Sequence, residues 1–335
     1  MNRHRLAGLA LGVSAALYAP QSSLADDLRT NQALVEAGVF LAHAETEAAF
    51  SRLDADRQEQ VVVVPVAKTF VDVGGASYGQ AEKGARLGYG GSASQLRVGV
   101  DREISNGLIV GAMAGGGAGE VSSGDLKGGT LAQHVDVYGR VKRGSLFAKL
   151  LFGGSIVGFR AIDRGPEDQR VFGRAVSHGA RAAAQTGGDF MVRGLKVSPT
   201  FGVALHANAL SGYRERGGAN AFSYRSRHAQ AAIGSFRLKA TRAFRLDATH
   251  KVEVQAFVGA DEMLAFHSDA LRASSIATGA LRRASSGHPT GRGVVGGLGL
   301  GAALAKGVDV NLSYDYGARD GFATHAGKAR LGISF

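Results

Sequence analysis

The sequence contains no cysteine and no tryptophan, and only 5 prolines among 335 residues. Without Cys there is no disulfide scaffold, no Cys-rich zinc site and no thiol nucleophile. No run of eighteen apolar residues occurs, which excludes a membrane-spanning α-helix. Polar low-complexity tracts are missing too, and with 45% hydrophobic residues the chain can pay for ordering itself. What the sequence does have is glycine, 50 residues with no collagen period, and a formal charge of +11. The charge is spread along the chain. That argues against a nucleic-acid-binding arm and leaves a lumen, a membrane surface or an acidic partner.

The first residues read as an export signal. Arg3 and Arg5 form a basic start, Leu6 to Ala19 is apolar, and Ser23-Leu24-Ala25 is a small-x-small cleavage site before Asp26-Asp27. Residues 1–25 are therefore expected to be a signal peptide for the general secretory route, with a buried N-terminal helix as the alternative. Residues 26–64 then form an acidic helical segment. Leu28, Leu34, Val35, Leu41, Ala42, Ala49, Phe50 and Leu53 recur at helical spacing, Asp26 and Asp27 suit the helix start, and Val61 to Val64 with Pro65 end it. Gly38 weakens this helix by about 1 kcal/mol relative to Ala.

From Pro65 to the end, residues 65–335, the period becomes two. Leu96, Val98 and Val100 alternate with Gln95, Arg97 and Asp101, and Val135, Val137 and Val141 with Asp136, Tyr138 and Arg140. Val252, Val254, Ala256 and Val258 alternate with Lys251, Glu253 and Gln255, and Val308, Val310, Leu312 and Tyr314 with Asp309, Asn311 and Ser313. Each is an amphipathic strand. Tight turns at Asn106-Gly107, Lys142-Arg143-Gly144, Arg193-Gly194 and Lys306-Gly307 fall on one side. Longer polar connections (162–170, 215–224 and 269–292) fall on the other. This is the pattern of an all-β, antiparallel outer-membrane β-barrel of about twelve strands. A soluble sandwich is the rival, but its strands are shorter than these. In the barrel, Val308, Val310, Leu312 and Tyr314 face lipid, while Lys251, Glu253, Asp309, Asn311, Lys328 and Arg330 face the lumen. Gly297, Gly299 and Gly301 on the inward row leave room inside it.

The last strand alternates as well, with Ala329, Leu331, Ile333 and Phe335 on one face. A terminal strand ending in an aromatic is the signal read by the barrel-assembly machinery of Gram-negative bacteria, so Leu331, Ile333 and Phe335 are the expected assembly signal. Together with VDVYGRVKRGSLFAKLLFGG from Val135, RGLKVSPTFGVALHANALSGYRERGG from Arg193 and the stretch from Gly307 to Phe335, this sequence resembles the autotransporter β-domain, the translocator of type V secretion. Pro199 inside its strand is part of the likeness. Arg330 stands where the family's signal has Gly. The resemblance implies an α-helix inside the lumen that joins the barrel to an exported passenger, in cis or in trans. Only some forty residues separate Ala25 from the first strand, so the passenger is expected to be vestigial. A lone Asn31 replaces the Asn-Asn pair at which some members cut themselves, so no cleavage by that route is expected.

Residues 26–60 hold eight acidic and three basic residues, net −5, whereas residues 61–335 carry 34 basic and 20 acidic residues, net +14. An acidic helix in a basic lumen predicts mutual neutralisation, with Glu45, Glu47, Asp54 and Asp56 on the helix side. Enzymatic signals are weak. His267-Ser268-Asp269 are adjacent on a strand end and point to opposite faces, no Gly-x-Ser-x-Gly elbow or His-Glu-x-x-His occurs, and Gly297-x-Gly299-x-Gly301 lacks a following helix. His178, His206 and His228 are the candidates for a barrel hydrolase at the rim. The expected function is an outer-membrane translocator or anchor without cofactor, metal or nucleic-acid partner, set in outer-membrane lipid and lipopolysaccharide. A small adhesin-like barrel binding through its long loops, or a barrel hydrolase, are the alternatives.

Overall fold

The alternation seen in the sequence becomes a wall with two chemically different faces. A computed structural model describes residues 28–54, 67–83, 88–246, 251–285, 291–305 and 307–334. The signal-peptide residues, Asp26, Asp27, Asp56, residues 61–64 and Phe335 lie outside them, as does the side chain of Asp54. One helix, α1 (Ala33–Asp54), precedes twelve long strands: β1 (Ala67–Gln80), β2 (Tyr89–Ser105), β3 (Leu108–Ser123), β4 (Leu126–Arg143), β5 (Leu146–Arg164), β6 (Val171–Gly188), β7 (Leu195–Leu210), β8 (Arg227–Arg245), β9 (Lys251–Ser268), β10 (Gly291–Ala305), β11 (Val308–Arg319) and β12 (Phe322–Ser334). Each pairs antiparallel with its sequence neighbours. β1 also pairs with β12, in a register that runs from Lys68 opposite Ser334 to Gln80 opposite Phe322. The sheet is thus a closed up-and-down barrel with no free edge, the form in which strands can cross a bilayer.

Outward residues are apolar and bare, as a lipid face requires: Val135 is 60% exposed, Leu298 65% and Phe201 58%. Their neighbours along each strand point inward, and many are charged and buried, among them Arg97, Asp101, Asp136, Lys149 and Arg181. The short end holds the expected tight turns. Arg193 (φ 51°) and Gly194 (φ 79°) both adopt the left-handed conformation that a two-residue type I′ hairpin needs.

The other end departs from the sequence reading in two ways. Tight turns occur there too, at Gly124-Asp125 and Asp320-Gly321. The long connections are not plain loops. Residues 213–214, 222–224, 271–275 and 281–284 form a separate four-stranded sheet over the barrel mouth. Strands of two to five residues are too short to show a period, so the sequence offered only polar composition.

Candidate functional site

The helix, placed in the lumen by the family resemblance, is buried on the side that meets the wall, while Leu41, His43, Ala44, Glu47 and Ser51 border a cavity. Ala33, Leu34, Val35, Ala37 and Val39 are buried, and so are Glu36 and Glu45. The reason is its place: α1 runs inside the lumen, packed mainly on β7, β6, β8 and β5. Residues 28–30 make a helical turn broken at Asn31-Gln32, so the regular helix starts later than its periodicity indicated. Its N-terminal end is gripped by the barrel mouth where the longer connections lie. Arg227 Nη2 donates to Asn31 Oδ1 (2.6 Å) and to its carbonyl (3.2 Å). Asn31 Nδ2 reaches the Tyr213 hydroxyl, and Gln32 Nε2 donates to Ser268 Oγ and to the Asp269 carbonyl (3.1 Å).

Midway along α1 the charges meet. Arg181 Nη1 lies 2.5 Å from Glu45 Oε2 while its Nε and Nη2 each donate to Asp136 at 2.7 Å. Gln95 Nε2 donates to Glu45 (3.1 Å), and His134 Nδ1 lies 3.4 Å from it. Glu47 accepts from Arg237 Nη1 (2.5 Å), while Arg237 Nη2 donates to Asp261 (3.3 Å). At the C-terminal end, Arg52 pairs with Asp101, Arg140 Nη1 donates to the Leu53 carbonyl (2.9 Å), and Lys149 Nζ donates to that of Phe50 (3.4 Å). These cations on the last carbonyls satisfy groups that a helix cannot satisfy itself and oppose the negative end of its dipole.

Gly38, read from the sequence as a weak point, is a docking notch. A Cβ there would stand 2.2 Å from Asn208 Nδ2, the atom that donates to the Val35 carbonyl at 2.9 Å. Sequence reading missed Arg181, Asn208 and Arg227, because nothing local marks which wall residues will face the helix.

The remaining sequence-predicted lumen residues line a cavity of about 1000 Å³ between α1 and the β1 and β8–β12 wall. Lys251 pairs with Glu253 (2.5 Å), Asp309 with Lys68, Lys328 Nζ donates to Asp315 (2.6 Å), and Arg330 is bidentate on Asp72. Asn311 lines the same cavity. The space expected at Gly297 and Gly299 is taken by neighbouring side chains, Phe257 and Gln255 lying 2.4 and 2.2 Å from where their Cβ atoms would be, whereas Gly301 lines the cavity. In the terminal strand, Leu331 and Ile333 are exposed on the lipid side at 41% and 46%.

The histidines do not gather at a rim. His206 is buried beside His43 on α1, ring centroids 5.4 Å apart, whereas His178 and His228 are exposed. Ser268 is buried and accepts from Gln32, while His267 is exposed and lies 3.6 Å from Asp269, so Ser268 and His267 form no nucleophile pair. Asp269 is held below the usual carboxylate range by its hydrogen bond from His228. At the opposite end, burial alone would raise the Asp189 pKa. Hydrogen bonds from Ser198 and Lys142 and the charges of Lys142 and Lys196 instead hold it below the usual range.

A closed antiparallel barrel with a helix along its lumen defines an outer-membrane translocator-type protein. The autotransporter beta-domain family model matches residues 69–315, and the chain belongs to that family. Its fold is similar to the translocator domain of the autotransporter NalP from Neisseria meningitidis (17% identity, TM-score 0.68, covering 88% of this chain and 97% of that one). It is also similar to the beta domain of the Bordetella autotransporter BrkA (20% identity, TM-score 0.57, covering 81% and 98%). No curated protein matches by sequence. The barrel is an outer-membrane translocator or anchor of the Gram-negative type.

Proposed function

We propose that the barrel carries its own N-terminal segment to the cell surface and then keeps α1 as a resident plug. The observation that carries this is direction. The Asn31 end of α1 sits under the mouth where the longer connections cluster, and the Leu53 end sits by the tight turns. In outer-membrane barrels long connections face outward and tight turns face the periplasm. Chain before Leu28 therefore leaves on the outer side. Residues 1–25 act as the export signal, the barrel-assembly machinery reads Leu331, Ile333 and Phe335, and lipopolysaccharide surrounds the outer belt. Glu45 and Glu47 hold the plug against a basic wall. The test is an epitope tag placed after Asp27: antibody should reach it on intact cells. Labelling only after the outer membrane is permeabilised would reverse the assigned direction.

A further inference from the structure

The cap sheet has two faces of opposite character. Its lower face buries Tyr213, Phe222, Tyr224, Leu271 and Ala273 over the outer end of the helix, in one apolar cluster with Leu28 and Leu34. Arg164 and Glu215 fix the sheet from below. Arg164 Nη2 donates to Glu215 Oε2 (2.8 Å) and to the Asn220 carbonyl (2.9 Å), and Glu215 also accepts from the Phe222 amide (3.0 Å).

The upper face carries arginine in register. Arg272 stands directly opposite Arg283 across two strands. Arg225 continues the row on the far side of Arg272, since Tyr224 pairs with Ala273 and the Arg225 amide donates to the Arg272 carbonyl (3.0 Å). One step along the sheet, Arg214 opposes Ser223, which opposes Ser274. All four arginines are exposed. Residues directly opposite in an antiparallel pair point to the same side, and strands lie about 4.8 Å apart, so three guanidinium groups span about 10 Å abreast. Like charges placed directly opposite destabilise a sheet. The carboxylates nearby are engaged elsewhere: Glu215 with Arg164, Asp269 with His228, Glu262 with Arg292. Among the described residues no carboxylate pairs with any of the four arginines.

We propose that this arginine row is a docking surface for a linear anionic polysaccharide, a sulfated or uronic-acid glycan presented from outside the cell. The charge complementarity is direct. Guanidinium forks take sulfate or carboxylate oxygens two at a time, and Ser223 and Ser274 beside the row suit sugar hydroxyls. The row lies on top of the cap, above the barrel mouth rather than on its lipid-facing wall. That favours a free polymer over the phosphates of surrounding lipid.

The test uses the full-length barrel folded in detergent micelles, with heparin oligosaccharides as probe, and so does not depend on the barrel's orientation in the cell. Binding should weaken steeply with salt. The triple variant Arg225→Ser, Arg272→Ser, Arg283→Ser should lose affinity by about tenfold or more, and the matching Lys variant should retain most of it. A charge-matched control at the opposite pole and wall, Arg102→Ser, Arg143→Ser, Arg193→Ser, should bind as the parent does, which separates the row from general basicity. Heat-modifiable migration reports the fold of every variant, and the single change Arg283→Glu serves where the triple variant fails that check. Equal heparin affinity in the triple variant and the parent overturns the proposal. So does loss in the triple variant of retention on lipopolysaccharide vesicles without loss of heparin binding, an outcome that assigns the row to membrane phosphates.

Discussion

Glu45 sits in the middle of α1 with Arg181, Gln95 and His134 around its carboxylate, 4% exposed. Removing one partner from a buried ion pair leaves the other charged and desolvated. Glu45→Ala is therefore expected to lower the free energy of unfolding of the refolded barrel in urea by about 3 kcal/mol. Glu47, whose side chain is 25% exposed, should cost about 1 kcal/mol or less by the same measurement. Equal costs would mean the lumen is wet throughout. A second residue-scale expectation concerns pH. Asp189 has a depressed pKa in the folded protein, so the unfolded chain binds its proton first. Its contribution is full above the unfolded carboxylate value of about 3.9 and is lost as pH falls through the lower folded value. Asp189→Asn should flatten that acid limb of unfolding and lower stability at neutral pH. The acids of the plug were legible as an acidic run, net −5 over residues 26–60. Their partners were not, because Arg181 and Arg237 are distant in sequence and only closure of the barrel brings them to the helix.

At the scale of elements, α1 shows why periodicity misleads inside a lumen. On the side where it meets the wall a lumen helix keeps no solvent face, so its polar residues there are placed by where wall charges stand and not by a water-facing stripe. Gly38 is the sharp case. Gly→Ala in a helix normally gains about 1 kcal/mol, but here the new methyl displaces Asn208 from the Val35 carbonyl and orphans buried polar groups worth about 1–3 kcal/mol. Gly38→Ala should thus destabilise the docked helix. Pairing it with Asn208→Ala should recover part of the loss, and additive effects in a double-mutant cycle would show that the two do not touch. The barrel strands, by contrast, were legible because each is long enough to repeat its alternation. The cap strands, with two to five residues, carried no readable period, and the arginine row across them depends on pairing between segments far apart in sequence.

For the whole molecule, the two faces of the wall set two outcomes. Arg at Val135, which is 60% exposed on the lipid side, should cost about 2–4 kcal/mol if the position lies near the bilayer midplane, and Arg at lumen-facing Asn311 much less, both read from unfolding in lipid vesicles. Deleting residues 26–60 should raise single-channel conductance in planar bilayers, since it empties the side of the lumen that α1 fills beside an existing cavity of about 1000 Å³. Unchanged conductance in the deletion would remove the plug role. The closed, twelve-stranded outline could be read from strand count, turn lengths and the absence of helices between strands. The cavity beside the plug could not, because it depends on which wall the helix leans against.

The seam between β1 and β12, thirteen paired residues from Lys68 to Gln80, makes the molecule a hoop around an axle. The hoop joins the first strand to the last, so it cannot close until the final strand has been made and delivered. The axle precedes both in the chain. Once the hoop is shut, α1 has no sideways exit: it leaves along its own length, past the cap at one end or the tight turns at the other, or not until the seam tears. Weakening its ion pairs with salt therefore loosens the axle and speeds its lengthwise departure, while sideways release still waits for the seam to open. The seam between the first and last strands thus closes the sideways route and leaves the lengthwise one.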